Sequence, residues 1–357
     1  MPEPHHTTSG ARRRSSGRPL WIAAAAFAVL ALLLWFLVGR GDNSSEAPAA
    51  TTATATTTAA ATPPPFPSAP YAVSDVVSLT VPEKTRFAKG TFWAEAGAEY
   101  VVTMDLRSTK PEGSGGRSMY LGVTLSCSPQ GGGPGVSAGG TQNMLTGEEA
   151  SYRNQGLIGV SEDGGVDCSI KLSAPYDDVA SADTTFPVEA TWRVARADGA
   201  AEAMTDQVLP TVIAPGVDEE ILTVDLALES PADDLEALSS LHLTTCTIVN
   251  GSREDDRAWC DEDALDEAGS TTTLRGRMDL IDADGAVCDE IADEELPADH
   301  IDLYRHHRLL SVMLEATAPE QPCGQTVRVA ISVQNDGPAP LVVHRSNSTL
   351  LLTSGVS

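Results

Sequence analysis

Basic residues are scarce in this chain. Its 357 residues include 23 Lys and Arg against 50 Asp and Glu, a formal net charge of -27. That balance argues against direct nucleic-acid binding, because each phosphate contact needs a cation to release counterions. Cysteine is absent before Cys127, which removes a lipoprotein acylation site, and the six cysteines include no Cys-x-x-Cys pair to support zinc. Aromatic residues make up only 5%, and the region after the linker holds three Trp, at 93, 192 and 259, of which Trp192 reads as core. Stacking platforms for carbohydrate are therefore few. After Tyr71 no stretch sustains a helical repeat, so a parallel α/β architecture is not expected.

One long apolar run is present. Leu20 to Val38 reads LWIAAAAFAVLALLLWFLV, roughly 28 Å as a helix and close to the ~30 Å hydrocarbon core of a bilayer. Arg12, Arg13, Arg14 and Arg18 precede it and only Arg40 follows closely, so the positive-inside rule places residues 1–19 in the cytoplasm and the rest of the chain outside. A cleaved signal peptide would have a shorter apolar region with a small-residue site soon after it. The run is therefore read as a retained signal-anchor helix over residues 20–38, preceded by a disordered segment. Residues 39–70 are nearly all Ala, Thr, Pro and Ser; such a segment buries too little apolar surface to offset its ordering entropy and is expected to act as a disordered tether. Arg outnumbers Lys 19 to 4, a codon bias that suggests a high-GC bacterium.

From Tyr71 onward the apolar pattern has a period of two. Val102, Met104 and Leu106 alternate with polar neighbours, as do Leu121, Val123, Leu125 and Cys127, then Cys168, Ile170 and Leu172, and Val188, Ala190, Trp192 and Val194. A second set follows residue 198, with Leu222, Val224, Leu226 and Leu228, then Val327, Val329, Ile331 and Val333, and short strands at 341–344 and 349–353. Half-buried strands separated by turn-rich segments predict a mainly β protein with two antiparallel, Ig-like β-sandwich domains, residues 71–198 and 199–357, in tandem repeat. An acidic insertion at about 250–305 accounts for the greater length of the second. Cysteine spacing supports the repeat if Cys127 joins Cys168, Cys246 joins Cys323, and Cys260 joins Cys288 inside the insertion. Cys246 fits imperfectly, since Leu241 and Leu243 have the opposite parity, and a bulge is the expected reason.

Motifs that could carry chemistry have bland counterparts. Gly135 to Gly139 matches the G-x-S-x-G nucleophile elbow but sits in a glycine run without the required strand and helix, and is expected to be loop. Asp279, Asp282, Asp284 and Gly285 superficially resemble a calcium loop, yet Asp-Gly after an apolar strand predicts a hairpin turn with a return strand over AVCDEI. His300, Asp302, His306 and His307 could bind a metal, but Arg305 and Arg308 beside them disfavour a dication. Asn250 and Asn347 begin glycosylation sequons that a bacterial source would leave inert. Of the adjacent Phe92 and Trp93, one must face outward on a strand. No catalytic, cofactor-binding or metal residue is assigned.

Acidity is concentrated. Residues 71–198 carry 16 acidic and 10 basic residues, residues 199–357 carry 31 and 8, and 18 acidic residues lie between Glu254 and Asp302. Glu254, Asp255, Asp256, Asp261, Glu262, Asp263, Asp293, Glu294 and Glu295 form the expected surface for a cation or for an envelope protein with a basic face. The resulting expectation is a single-pass, non-catalytic binding or scaffolding module outside the membrane. The alternatives are an envelope hydrolase with an unrecognised site and a calcium-responsive adhesin.

Overall fold

A computed structural model describes residues 71–355, apart from 82, 111–117, 175–183, 198, 205–210, 229–233 and 248–259. The expected cytoplasmic segment, anchor helix and linker lie outside the described residues, as does Asn250; among the described residues no helix is long and apolar enough to cross a membrane.

Alternating side chains give the first eight strands: β1 (Tyr71–Thr80), β2 (Glu83–Ala94), β3 (Glu99–Thr109), β4 (Ser118–Pro129), β5 (Val136–Leu145), β6 (Glu149–Gly159), β7 (Gly164–Ala174) and β8 (Thr185–Ala197). They form two antiparallel sheets, ordered β1-β8-β3-β6 and β2-β7-β4-β5. Each period-two run read in this half faces the layer between them: Val102, Met104 and Leu106 on β3, Leu121 to Cys127 on β4, Cys168 to Leu172 on β7, and Val188 to Val194 on β8. Trp192 lies at the centre, and its Nε1 donates to the Ala88 carbonyl at 2.5 Å. That carbonyl is turned inward by a bulge in β2 between Phe87 and Gly90, where Ala88 has φ +48°. A Cβ at Gly90 would meet Val73 and Trp192 at 2.8 and 2.9 Å, so the bulge passes too close to the core for a larger residue. Phe92 is buried against Tyr100 while Trp93 is half-buried on the other face.

Ten strands make the second sandwich: β9 (Gly199–Met204), β10 (Thr211–Ile213), β11 (Asp218–Ala227), β12 (Asp234–Thr245), β13 (Ser270–Ile281), β14 (Val287–Glu295), β15 (Asp299–Ile301), β16 (Arg308–Thr317), β17 (Thr326–Asn335) and β18 (Leu341–Ser354). One sheet is ordered β10-β18-β12-β16, with β9 also on β18; the other is β11-β17-β13-β14, with β15 on β13. If β9 and β10 count as one interrupted strand, this order repeats that of the first sandwich. Eight strands in this order make a jelly roll rather than the expected immunoglobulin arrangement. The two short strands expected near the C-terminus are one, β18, in which residues 345–348 stand opposite the single Leu241 of β12.

The region expected as an insertion is largely integral. β13 runs between β17 and β14 with its apolar side in the core, and Asp282 to Ala286 turn the chain into β14 as the Asp-Gly pattern predicts. Asp282 Oδ1 accepts from the backbone N–H groups of Asp284 and Ala286, both at 2.9 Å, and Gly285 takes φ +83°. The G-x-S-x-G stretch is likewise not a loop, because strand β5 begins at Val136 and pairs Ser137 with Ser126.

All six cysteines form disulfides. Cys127 and Cys168 join as expected, as register partners on the neighbouring strands β4 and β7. The other two pairings differ from expectation: Cys246 bonds Cys260 and Cys288 bonds Cys323. Cys246 lies just past β12, which corresponds to β3, whereas Cys127 ends β4. The cysteines of the two halves are thus not equivalent, and the repeat rests on strand order alone.

Candidate functional site at the junction of the two sandwiches

β12 is buried on both faces, which is unusual for a strand of a two-layer sandwich. Leu235, Ala237, Leu241 and Leu243 fill the second core, while Leu238, Ser240, His242 and Thr244 on the opposite face are also buried. This double burial, rather than a bulge within β12, explains the blurred alternation before Cys246, which itself lies beyond the strand. β16 divides in the same way, with Val312 and Leu314 in the second core and Leu309 in the core of the first sandwich. The covering surface belongs to the first sandwich. Val101 and Ala197, with Leu157 beside them, pack on Leu351 and Ala200 as a small third cluster.

Polar contacts fix the register of this junction. Asn143 N–H on β5 donates to the His307 carbonyl at 2.8 Å, and His307 N–H returns to Asn143 Oδ1 at 2.6 Å. Ser311 Oγ donates to the Arg153 carbonyl at 2.6 Å, Arg153 Nη1 lies 3.1 Å from Met313 Sδ, and Arg305 pairs with Glu148.

Four histidines gather here. The His242 ring stacks between His344 and His307, with centroids 4.6 and 5.2 Å away, and His306 and Tyr120 meet His307 edge-on at 5.0 and 5.3 Å. His242 Nε2 is 3.0 Å from His307 Nδ1, Asn347 Nδ2 is 3.4 Å from His242 Nδ1, and His344 Nε2 is 2.7 Å from Thr244 Oγ1. With the Asn347 amide donating, His242 carries its proton on Nε2 and passes it toward His307 Nδ1, so this chain requires neutral imidazoles. His242 is only 6% exposed. Burial, reinforced by His344 and then His306, lowers its pKa from the ordinary imidazole value to about 3.

Beside this cluster the sandwiches leave a groove of 700 Å³. Leu238, Leu296, Leu310 and Met313 supply its apolar lining, and Asp105, Arg107, Arg153, Glu189 and Arg308 its charges. Asp105 is shared by Arg153 at 2.5 Å and Arg193 at 3.6 Å, Arg308 is held by Asp299 at 2.7 Å, and Arg107 makes no ion pair among the described residues. Counting these partners, four arginines (Arg107, Arg153, Arg193 and Arg308) meet three acids (Asp105, Glu189 and Asp299), which leaves one positive charge in excess on a strongly acidic molecule. Tyr152, 7% exposed, also lines the groove; its hydroxyl has no hydrogen-bond partner among the described residues, and burial pushes its pKa well above the ordinary phenol value.

The residues expected from sequence fall elsewhere. Asp261 and Asp263 are exposed around a short 3₁₀ turn (Glu262–Ala264), Asp293 to Glu295 lie on edge strand β14, and Glu254 to Asp256 are outside the described residues. Asp293 is already engaged by Arg275 through two bonds of 2.8 and 2.7 Å. His300 sits on β15 against Asp302 at 3.9 Å, so it does not join His306 and His307. Among the described residues no group of three or more His, Cys, Asp or Glu has metal-binding geometry. Sequence reading passed over His242 and His344; the one available signal was a histidine inside LHLTTC, a stretch otherwise suited to burial.

No family model and no curated protein matches the chain. Among solved structures it is similar to a peptide-N(4)-(N-acetyl-β-D-glucosaminyl) asparagine amidase, at 10% identity over 80% of this chain and 96% of that one, TM-score 0.33. Another is the infectious bursal disease virus Gt strain, at 11% identity over 80% and 72%, TM-score 0.28. A third is the tandem CBM22-1-CBM22-2 domain of Paenibacillus barcinonensis Xyn10C, at 9% identity over 79% and 98%, TM-score 0.22. Likenesses this distant bear on no function.

Proposed function

We propose that the chain is a single-pass, membrane-anchored extracytoplasmic protein of a high-GC bacterium, acting as a non-catalytic binding module at the cell envelope. The apolar run at 20–38, its flanking arginines and the Ala/Thr/Pro-rich tether support the topology. The observation that carries the binding function is the groove walled by both sandwiches, with an apolar lining and with Arg107, which makes no ion pair among the described residues. Strands β6 and β16 both border it and meet through Ser311 and the Arg153 carbonyl, and the alternation of side chains along each presents apolar and charged groups in turn to an extended chain. The ligand class that fits is an extended peptide carrying carboxylates between apolar side chains. At physiological salt charges are screened beyond about 8 Å, so the local arginines rather than the distant net charge govern such a ligand. The acidic surface around Asp261, Asp263, Glu294 and Glu295 remains available to a partner with a basic face.

Anisotropy of a labelled decapeptide alternating Glu and Leu, titrated with the full-length chain in detergent at pH 7.5, tests the groove. Saturable binding that Arg107→Glu weakens at least about tenfold, as loss and reversal of one charged contact should, is the expected result. Equal binding of the Lys–Leu counterpart, or none of either peptide, overturns it. Added protease should also digest the chain beyond residue 71 on intact spheroplasts while sparing the Arg-rich start.

A further inference from the structure

We propose that the His242–His307 contact, with His344 and His306 around it, is an acid-released latch that keeps the two sandwiches docked. His307 is gripped from one side by the first sandwich, through Asn143 on β5 and the Tyr120 ring on β4, and from the other by His242 on β12 of the second. Separating the sandwiches would part these partners and admit water to all the rings.

The docked cluster resists protons at the two nitrogens around His242 and His307 that join it. A proton added at His242 Nδ1 would set an N–H against the Asn347 amide, 3.4 Å away, and one added at His307 Nδ1 would set an N–H against that of His242, 3.0 Å away. Any resulting charge faces further imidazoles at 4.6 to 5.2 Å. The facing groups are His344, Asn347 and Ser348 from β18, Tyr120 from β4, Asn143 from β5, and His306 and His307 from the segment before β16. Among the described residues, the imidazoles of His344 and His306 are the groups that act electrostatically on His242. Beside His306 and His307 in sequence, Arg305 is committed to Glu148 and Arg308 to Asp299.

Linkage sets the sign. An undocked, hydrated imidazole titrates near 6.5, so below that pH the undocked form binds more protons and acid favours it. One histidine held neutral only when docked shifts the docking equilibrium by about 30-fold between pH 8 and pH 5. That such release also opens the groove rests on the groove's being a binding site; the latch itself does not.

The test uses two spin labels on the full-length chain in detergent, at Ser161→Cys and Asp284→Cys, both exposed and one in each sandwich. All six native cysteines are in disulfides, so the added thiols label uniquely. Without ligand, a single narrow distance at pH 7.5 should give way at pH 5 to a second, broader population, while the far-ultraviolet strand signal is unchanged. His242→Gln and His307→Gln should each displace the midpoint of that change. An unaltered distance at pH 5, broadening only together with loss of strand signal, or a midpoint indifferent to both variants would overturn the latch. Because no peptide is present, each of those results leaves the groove reading intact, and failure of the peptide to bind at pH 7.5 leaves the latch intact.

Discussion

Leu309 of β16 packs into the core of the first sandwich, against Gly140 of β5, where an added Cβ would lie 2.5 Å from Leu309 Cδ2. A residue of one sandwich thus completes the interior of the other, at the edge where β5 and β6 would otherwise lie open.

Leu309→Ala should therefore destabilise the first sandwich, although the substitution lies in the second. The side chain is 2% exposed, and deleting a buried leucine costs about 2 to 5 kcal/mol. Denaturant unfolding followed separately in each half, by hydrogen exchange of β5 and β6 against β13 and β17, should show the loss first in β5 and β6. Gly140→Leu should part the sandwiches from the opposite side, and an unchanged exchange pattern in both variants would contradict the packing.

Peptide mapping without reduction should recover Cys127 with Cys168, Cys246 with Cys260, and Cys288 with Cys323. Replacing Cys288 and Cys323 together by Ser opens a loop of 35 positions, worth about 3 to 4 kcal/mol in the chain-entropy model. A lowered melting temperature should accompany freer exchange along β14, the strand that this bond secures. A peptide joining Cys246 to Cys323 would refute the pairing.

Stability should fall in mild acid. The docked protein keeps His242 neutral until pH values near 3, whereas the unfolded chain protonates near 6.5. Throughout that window the unfolded state holds more protons, so this contribution to unfolding free energy is complete above 6.5 and declines as pH drops through it, by about 2 kcal/mol at pH 5. Chemical denaturation at pH 7.5 and pH 5 should show the decline, and His242→Gln should flatten it.

Local chemistry made much of the fold legible. Period-two runs located the strands because one face of each meets a dry interior and the other water, and Asp284-Gly285 marked a hairpin because the turn requires a positive φ that glycine adopts freely. Cys127 and Cys168 could be paired because both share the inward parity of adjacent strands. The acidic residues, by contrast, announced composition rather than a site. Exposed carboxylates on β14 and in the 262–264 turn stay solvated or, like Asp293, paired with an arginine.

Sequence alone determined that this is a mainly β protein with a strongly acidic second half, since period, turn chemistry and charge are local properties of the chain. Tertiary structure decided the strand order, two of the three disulfides, the place of β13 inside a sheet, and the meeting of His242, His307 and His344. Those depend on which distant strands become neighbours and on which sheet face a second sandwich covers. β12 shows the difference most plainly: alternation can mark one buried face, but only docking with the first sandwich buries the other, and the histidines lie on that face.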